Sequence, residues 1–151
     1  MSNAAFRVPQ PSIEPVKPYG AGSPERLEIE ETYAQLAKEN WDIPLHIGSE
    51  EVRTGNTKSI SAPHDHKWIL GAYHVGTAKE TKAAIAAALK AKKAWAATSW
   101  EHRASVFLKC AELLAGPFRS RMNAATMLSQ SKNVHQAEID AACEMIDFFR
   151  F

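Results

Sequence analysis

Several features that mark common protein classes are missing from this sequence. It has only two cysteines, Cys110 and Cys143, and its 18 basic residues nearly balance its 17 acidic ones. Two cysteines inside helical patterns do not make a disulfide framework and suit a reducing compartment. A balanced charge disfavours nucleic-acid binding and membrane-surface attachment, which usually need a basic excess. No apolar run approaches the roughly 18 residues that a membrane span needs.

Recognisable chemical motifs are also scarce. The sequence has no G-x-G-x-x-G or P-loop turn for phosphate and no nucleophile elbow of a Ser/His/Asp hydrolase. His64 and His66 have the only metal-like spacing, but without further Cys or His nearby we expect a solvated turn rather than a zinc site. Cys143 is expected to pack inside, because the neighbouring carboxylate of Glu144 disfavours a thiolate. The motifs alone therefore indicate neither a catalytic residue nor a metal site.

The chain begins with a proline-rich arm, residues 1–22. Four prolines, at positions 9, 11, 15 and 18, interrupt any regular element. The arm has neither the apolar core of a secretion signal nor the Arg-rich pattern of a transit peptide, so we expect a cytoplasmic protein or a mature mitochondrial-matrix form. Ser2-Asn3-Ala4 is typical of a residual expression tag, and we assign it no function.

Capping residues predict three helices after the arm, and a short fourth helix is expected to follow the third. The first begins at Ser23-Pro24, the second at the capping box of Thr77 and Glu80, the third at Ser99 and the short fourth at Phe118. The second helix should run to about Trp95 with a solvated lysine face, the third should end at Gly116-Pro117, and the fourth should end at Gln130. Arg103, near the start of the third helix, should be held by a carboxylate or a carbonyl. The faces predicted to be buried are Ile85, Ala88, Leu89 and Trp95 in the second helix and Val106, Phe107, Cys110, Leu113 and Leu114 in the third.

Between the first two helices the hydrophobic period shortens towards two, which predicts strands. Ile43–Ile47 and Glu51–Arg53 flank Gly48-Ser49, a hairpin-like turn, and two further strands, Lys58–Ala62 and Trp68–Val75, are separated by Pro63. We therefore expect residues 23–151 to be mainly α-helical with a small antiparallel β piece.

The last stretch, residues 131–151, has a clear helix start and no helix stop. Asn133 and Gln136 form a capping box, but neither glycine nor proline follows, and the sequence ends on three phenylalanines, Phe148, Phe149 and Phe151. Aromatic surface costs free energy when it is left in water. We therefore expect these residues to be the N-terminal part of a longer protein.

This predicted helix also carries an acidic stripe. Asp140, Glu144 and Asp147 are spaced three and four apart and so share one side, where like charges repel. Periodicity alone favours a solvated face. The alternative is that one carboxylate points into a pocket and meets a cationic substrate group or a proton in transit.

Here the residues resemble a known family. The stretch QAEIDAACEMIDFFRF, residues 136–151, is similar to the helix that leads into the nucleotide-binding domain of 1-pyrroline-5-carboxylate dehydrogenases. Three earlier segments also occur in the order found in that family: GSPER at 22–26, IPLHIGSEEVRTG at 43–55 and the Ala-rich run through Trp95 to Arg103. The resemblance implies an α/β aldehyde dehydrogenase-like fold in the parent, with residues 23–151 as the N-terminal part of its NAD-binding domain.

The resemblance also implies an activity. Members of that family oxidise L-glutamate 5-semialdehyde, which equilibrates with 1-pyrroline-5-carboxylate, to L-glutamate in proline catabolism, with NAD as the acceptor. Their cysteine nucleophile, general base and cofactor loops would all follow Phe151, so the resemblance implies no catalytic residue in these 151 residues and no turnover by them alone. The implied partners are the aldehyde substrate, the remainder of the same chain and further copies in a homo-oligomer.

One site residue follows from the resemblance. Glu144 matches the carboxylate beside the aldehyde, where it could receive the substrate amino group or assist proton movement, whereas Asp140 and Asp147 are expected to be solvated or structural. Ser131 departs from the family pattern, which has glycine there; if the position has positive φ, serine costs about 1 kcal/mol. A second hypothesis stays open, in which the chain is a non-catalytic interaction module or remnant that docks through its C-terminal aromatic helix.

Overall fold

The computed structural model describes residue 5 and residues 7–151. The Ser2-Asn3-Ala4 segment lies outside the described residues. From Arg7 to Gly20 the arm contains no helix or strand, yet it is not detached, because Tyr19 is only 4% exposed and belongs to the main core. The arm therefore packs as part of the fold.

The helices begin where the caps predict. Ser23 caps α1, the Thr77–Glu80 capping box starts α2, and Ser99 caps α3, which ends at Gly116. The Asn133–Gln136 capping box starts the last helical stretch, which contains a π-helical turn between two α-helical segments. The bounds are α1 Pro24–Leu36, α2 Ala78–Ala97, α3 Trp100–Ala115, α4 Arg119–Gln130, α5 Val134–Ala137, the π turn Glu138–Cys143 and α6 Glu144–Arg150.

Within residue 5 and residues 7–151, five strands form two small sheets. Strands β2 and β3 pair as an antiparallel hairpin, β4 pairs antiparallel with β5, and β1 pairs parallel with β5, which gives the order β1-β5-β4. The predicted antiparallel piece is confirmed, but the parallel strand was missed. Pro44 has no N–H to donate and separates β1 from β2, so the predicted single strand becomes two strands in different sheets. The bounds are β1 Trp41–Ile43, β2 Leu45–Ile47, β3 Glu50–Val52, β4 Thr57–Ala62 and β5 Asp65–His74.

Two apolar clusters hold these elements together. The larger cluster joins the arm, α1, α4 and the three-stranded sheet, and the smaller one joins α3 to the π turn and α6. The arm, α4 and the last helical stretch also contact one another, because Glu138 accepts hydrogen bonds from Tyr19 of the arm and from Asn123 of α4. The buried members are Tyr19, Ile29, Leu36, Ala62, Leu70, Ala124 and Leu128 in the larger cluster and Ala111, Leu114, Ala142 and Ile146 in the smaller.

The predicted burial is wrong for the face of α2 and for most of the face of α3. Helix α2 contains no buried residue, and Ile85, Leu89 and Trp95 are 56%, 63% and 46% exposed. In α3 the predicted burial of Leu114 is confirmed, but Val106, Phe107 and Leu113 are exposed, Cys110 is half-buried, and Ala111, outside the predicted stripe, is buried. Periodicity identifies which side of a helix is apolar, but the elements packed against it decide whether that side is covered.

Candidate functional site

Glu144 lies at the start of α6 on an exposed face. Its side chain makes no hydrogen bond or ion pair with any other described residue, and Phe148, one turn later, is 70% exposed on the same side. Ile146 faces the opposite way and is fully buried against the smaller core. The structure therefore presents an unpaired carboxylate next to aromatic surface.

The other two carboxylates of the acidic stripe have structural partners. Asp140 accepts a 2.7 Å hydrogen bond from Lys132 Nζ. Asp147 accepts a 2.8 Å bond from the backbone N–H of Glu14 and so fastens the arm to α6. Both residues thus have structural contacts, which Glu144 lacks among the described residues.

The sequence did not identify Glu138, a buried carboxylate that accepts several hydrogen bonds in this region. Its side chain is 0% exposed. It accepts bonds of 2.8 Å from the Lys17 backbone N–H, 2.8 Å from the Tyr19 hydroxyl and 2.7 Å from Asn123 Nδ2. A charged residue within an otherwise apolar helical stripe was the available signal, because buried charges are normally paired.

Arg119 is the cation that balances Glu138. Its guanidinium donates to both Glu138 oxygens, to a Glu14 oxygen and, at 2.8 Å, to the Pro15 carbonyl. Arg150 donates to the other Glu14 oxygen at 2.6 Å and lies 3.8 Å from an Asp147 oxygen, so two arginines, two glutamates and one aspartate form a cluster of ion pairs. The arm, α4, the π turn and α6 are joined through this cluster.

Burial and charge oppose each other at the centre of the cluster. Burial alone would raise the pKa of Glu138, but the bonds from Arg119, Lys17, Tyr19 and Asn123 prevail and lower the pKa to about 2. Burial would likewise lower the pKa of Arg119, but its bonds to Glu138 and Glu14 raise that pKa above its ordinary value. Both groups are therefore charged across the physiological pH range.

Cys143 is buried beside the same cluster. Burial, followed by the nearby Glu138 charge, raises the pKa of its thiol to about 11. Its Sγ atom lies 3.4 Å from Arg119 Nη2. Its 6% exposure confirms that the Cys143 side chain packs inside, and a neutral thiol is a poor nucleophile.

The remaining candidate residues have local roles. His64 Nδ1 shares a 2.6 Å hydrogen bond with the Ser131 hydroxyl. No group of three His, Cys, Asp or Glu side chains able to hold a metal ion occurs within residue 5 and residues 7–151. Arg103 donates to the Thr98 carbonyl at 2.6 Å, as expected. None of the helices in the described part of the chain is both long and apolar enough to cross a bilayer.

Comparison with known proteins agrees with this architecture. The sequence profile of the aldehyde dehydrogenase family matches residues 51–151. The chain belongs to the aldehyde dehydrogenase family. The α/β aldehyde dehydrogenase-like fold expected from the resemblance is thereby confirmed, with mainly helical structure and a small antiparallel sheet in this part of it.

Similar members of the aldehyde dehydrogenase family share one activity in their names. The chain is 43% identical over 149 residues to delta-1-pyrroline-5-carboxylate dehydrogenase of Agaricus bisporus, covering 98% of this chain and 27% of that protein. The relative from Emericella nidulans, named as mitochondrial, is 43% identical over 98% of this chain and 26% of its own length. The chain thus spans about a quarter of these curated relatives.

A solved structure is similar over nearly the whole chain. The NAD-bound delta-pyrroline-5-carboxylate dehydrogenase of Mycobacterium tuberculosis superimposes with a TM-score of 0.96 and 46% identity, covering 99% of this chain and 28% of that one. A score of that size means that the helices and strands lie in the same arrangement. The resemblance seen in the sequence to 1-pyrroline-5-carboxylate dehydrogenases is confirmed.

Proposed function

We propose that these residues are the N-terminal part of an NAD-dependent 1-pyrroline-5-carboxylate dehydrogenase, with residues 23–151 belonging to its NAD-binding domain. The observation that carries the proposal is the similarity to enzymes of that name over 98% of the chain. The reaction is the oxidation of L-glutamate 5-semialdehyde to L-glutamate in proline catabolism. The remainder of the protein and further copies of it are the proposed partners.

In this proposal Glu144 binds the substrate. L-glutamate 5-semialdehyde carries an ammonium group, and a carboxylate without another partner is suited to accept hydrogen bonds from it. The free state of Glu144 among the described residues supports this role, as does the involvement of Asp140 and Asp147 in structural contacts. Exposed Phe148 on the same face adds apolar surface that would exclude water from the ion pair once covered.

The cofactor is proposed to be NAD, held by other parts of the protein. Among the described residues no glycine-rich turn follows a strand and opens a helix in the way that a pyrophosphate site requires. When bound, NAD would supply the hydride acceptor for oxidation of the aldehyde. The present residues are proposed to contribute only substrate binding and the packing that places Glu144.

The test is an assay of the complete protein for NADH formation. L-glutamate 5-semialdehyde should be oxidised with a kcat/KM well above that of glutarate semialdehyde, which differs only by lacking the amino group. The Glu144→Gln variant should lose this preference, because an amide is a weaker partner for an ammonium group. Absence of NADH formation with L-glutamate 5-semialdehyde would overturn the proposed activity. It would favour the interaction hypothesis, which the exposure of Phe148 and Phe151, 70% and 74%, keeps open.

A further inference from the structure

The π turn that precedes Glu144 determines which way this residue points. Between Glu138 and Cys143 the helix contains one extra residue per turn, and the backbone N–H of Glu144 itself donates to the Ile139 carbonyl, five residues back. One inserted residue rotates every later side chain about 100° around the helix axis relative to a continuous α-helix. Without the π turn, Glu144 would face a different direction relative to α5.

The pattern of burial fits this rotation. Ala137, Glu138, Ala142, Cys143 and Ile146 are all buried. In a continuous α-helix, positions five apart such as Glu138 and Cys143 would point about 140° away from each other and could not share one buried face. The π turn brings these residues to the protein side and leaves Glu144 on the exposed side.

Arg119 spans the turn from one end to the other. Its Nη2 atom donates to Glu138 Oε1 and also lies 3.4 Å from Cys143 Sγ. Glu138 opens the turn and Cys143 closes it, directly before Glu144. One buried guanidinium thus contacts both ends of the π turn, and the direction of Cys143 sets that of the residue that follows.

Tertiary contacts are needed to maintain such a turn. A π turn is a rare departure from the α-helix and persists where the surrounding structure stabilises it. Here the stabilising bonds come from distant parts of the chain, since Glu138 accepts from Lys17 and Tyr19 in the arm and from Asn123 and Arg119 in α4. The Tyr19 hydroxyl also accepts a 3.0 Å bond from Asn123 Nδ2.

We propose that Glu138, held by Arg119 and Tyr19, is a positioning residue that maintains the π turn and thereby directs Glu144 towards the substrate ammonium group. This inference rests on the proposed substrate-binding role of Glu144. It assigns a function to the arm, which supplies part of the bonding that holds Glu138. Glu138 itself touches no substrate, because its side chain is completely buried.

The kinetic test is a double-mutant cycle in the complete protein, using Glu138→Gln, Glu144→Gln and the double variant. Glu138→Gln should lower kcat/KM for L-glutamate 5-semialdehyde about tenfold, mainly through KM, while the KM for NAD changes less than about twofold. In the Glu144→Gln background the same change should have less than about a twofold effect, because Glu138 acts through Glu144. Full additivity of the two substitutions would overturn the proposal.

A milder variant and a control separate positioning from folding. Tyr19→Phe removes one bond to Glu138 and leaves the ion pair, so it should move the KM for semialdehyde in the same direction by a smaller factor. Glu112→Gln, in an exposed ion pair with Lys109 on α3, should leave both KM values unchanged. An unchanged semialdehyde KM in both Glu138→Gln and Tyr19→Phe would contradict the inference.

A crystal structure of the Glu138→Gln protein tests the positioning role of Glu138 even if the protein lacks the proposed activity. In crystals of the Glu138→Gln protein the five-residue hydrogen bonds of residues 138–143 should be lost or rearranged, and the Glu144 side chain should point in a new direction. If the complete wild-type protein does not oxidise L-glutamate 5-semialdehyde, the proposed function falls, and the crystal structure still tests whether Glu138 directs Glu144. A variant structure with the π turn and Glu144 unchanged would refute the positioning role.

Discussion

The hydroxyl of Ser131 and the Nδ1 atom of His64 lie 2.6 Å apart, joining the end of α4 to the turn between β4 and β5. Ser131 has φ 56° and ψ 29°, the left-handed conformation that glycine adopts most easily. The condition under which serine is costly at this departure from the family pattern, a positive φ, is therefore met. The serine hydroxyl provides a contact that glycine could not make.

Replacement of Ser131 should separate backbone strain from the side-chain bond. Ser131→Ala loses the bond to His64 and keeps the left-handed strain, whereas Ser131→Gly loses both. We expect the glycine variant to be more stable than the alanine variant by about 1 kcal/mol. Urea unfolding of the two proteins under identical conditions measures the difference. Equal stabilities would mean that the backbone at this position carries no strain.

Under the proposed function, removal of the Glu144 carboxylate should impair the kinetics with the aldehyde substrate more than those with NAD. In the complete protein we expect Glu144→Ala to lower kcat/KM for L-glutamate 5-semialdehyde by roughly tenfold to a hundredfold, which corresponds to the loss of a charge-assisted hydrogen bond. The KM for NAD should stay within about twofold of the wild-type value. Asp140→Asn, which alters the neighbouring exposed acid paired with Lys132, is the matched control. An unchanged kcat/KM for Glu144→Ala would remove Glu144 from the site.

Acid should weaken the fold through Glu138. The pKa of Glu138 is about 2 in the folded chain, below its ordinary value of 4.5. The stabilisation provided by the ionised Glu138 side chain is therefore complete above pH 4.5 and is lost as the pH falls towards 2. The free energy of unfolding should fall by roughly 3 kcal/mol in total over this range. The difference in unfolding free energy between wild type and Glu138→Gln should shrink over this range. A difference independent of pH would show that Glu138 is not ionised in the folded protein.

The two cysteines should differ in reactivity. Cys143 is buried with its thiol pKa raised to about 11 by burial and the Glu138 charge, whereas Cys110 is only half-buried. At pH 8 about one Cys143 in a thousand would be a thiolate, so iodoacetamide should label Cys110 first. Peptide mass spectrometry of the folded protein measures both rates, and labelling in denaturant provides the control. Equal rates in the folded protein would contradict the buried position of Cys143.

Gly71 should not tolerate a side chain. A Cβ atom at this position would clash with the Trp41 carbonyl oxygen, because Trp41 of β1 pairs with Gly71 of β5. We expect Gly71→Ala to separate the two strands and to cost about 2 kcal/mol or more. Gly20→Ala, where nothing lies within 4 Å, is the control and should be nearly neutral. Comparable unfolding free energies for the two variants would argue against the β1–β5 pairing.

Local signals in the sequence predicted the helix starts well. Ser23, Thr77, Ser99 and Asn133 all cap helices in the structure, because a cap depends only on residues within three positions of it. The Gly48 turn and the β4–β5 pair were also predictable, since residues that favour a turn lie between short apolar runs. The parallel pairing of β1 was not, because its partner lies about thirty residues along the chain and no local pattern identifies it.

For the candidate site, the sequence determined that Glu144 belongs to an acidic stripe and that its surroundings resemble one enzyme family. It did not show that Asp140 and Asp147 have structural partners, because those partners are Lys132 and the backbone of Glu14, which only folding brings close. It also suggested burial for the apolar face of α2, which the described part of the chain leaves exposed.

The sequence by itself determined the helix caps, the small strands, the acidic stripe and the family, because each depends on neighbouring residues or on a recognisable stretch. The tertiary structure alone decided the helical phase at Glu144. That phase depends on the π turn held by Arg119 and Glu138 with Tyr19 of the arm, which is 119 residues away from Glu138. A charged side chain can remain buried only where such distant partners surround it, and the local sequence does not show which distant residues these are.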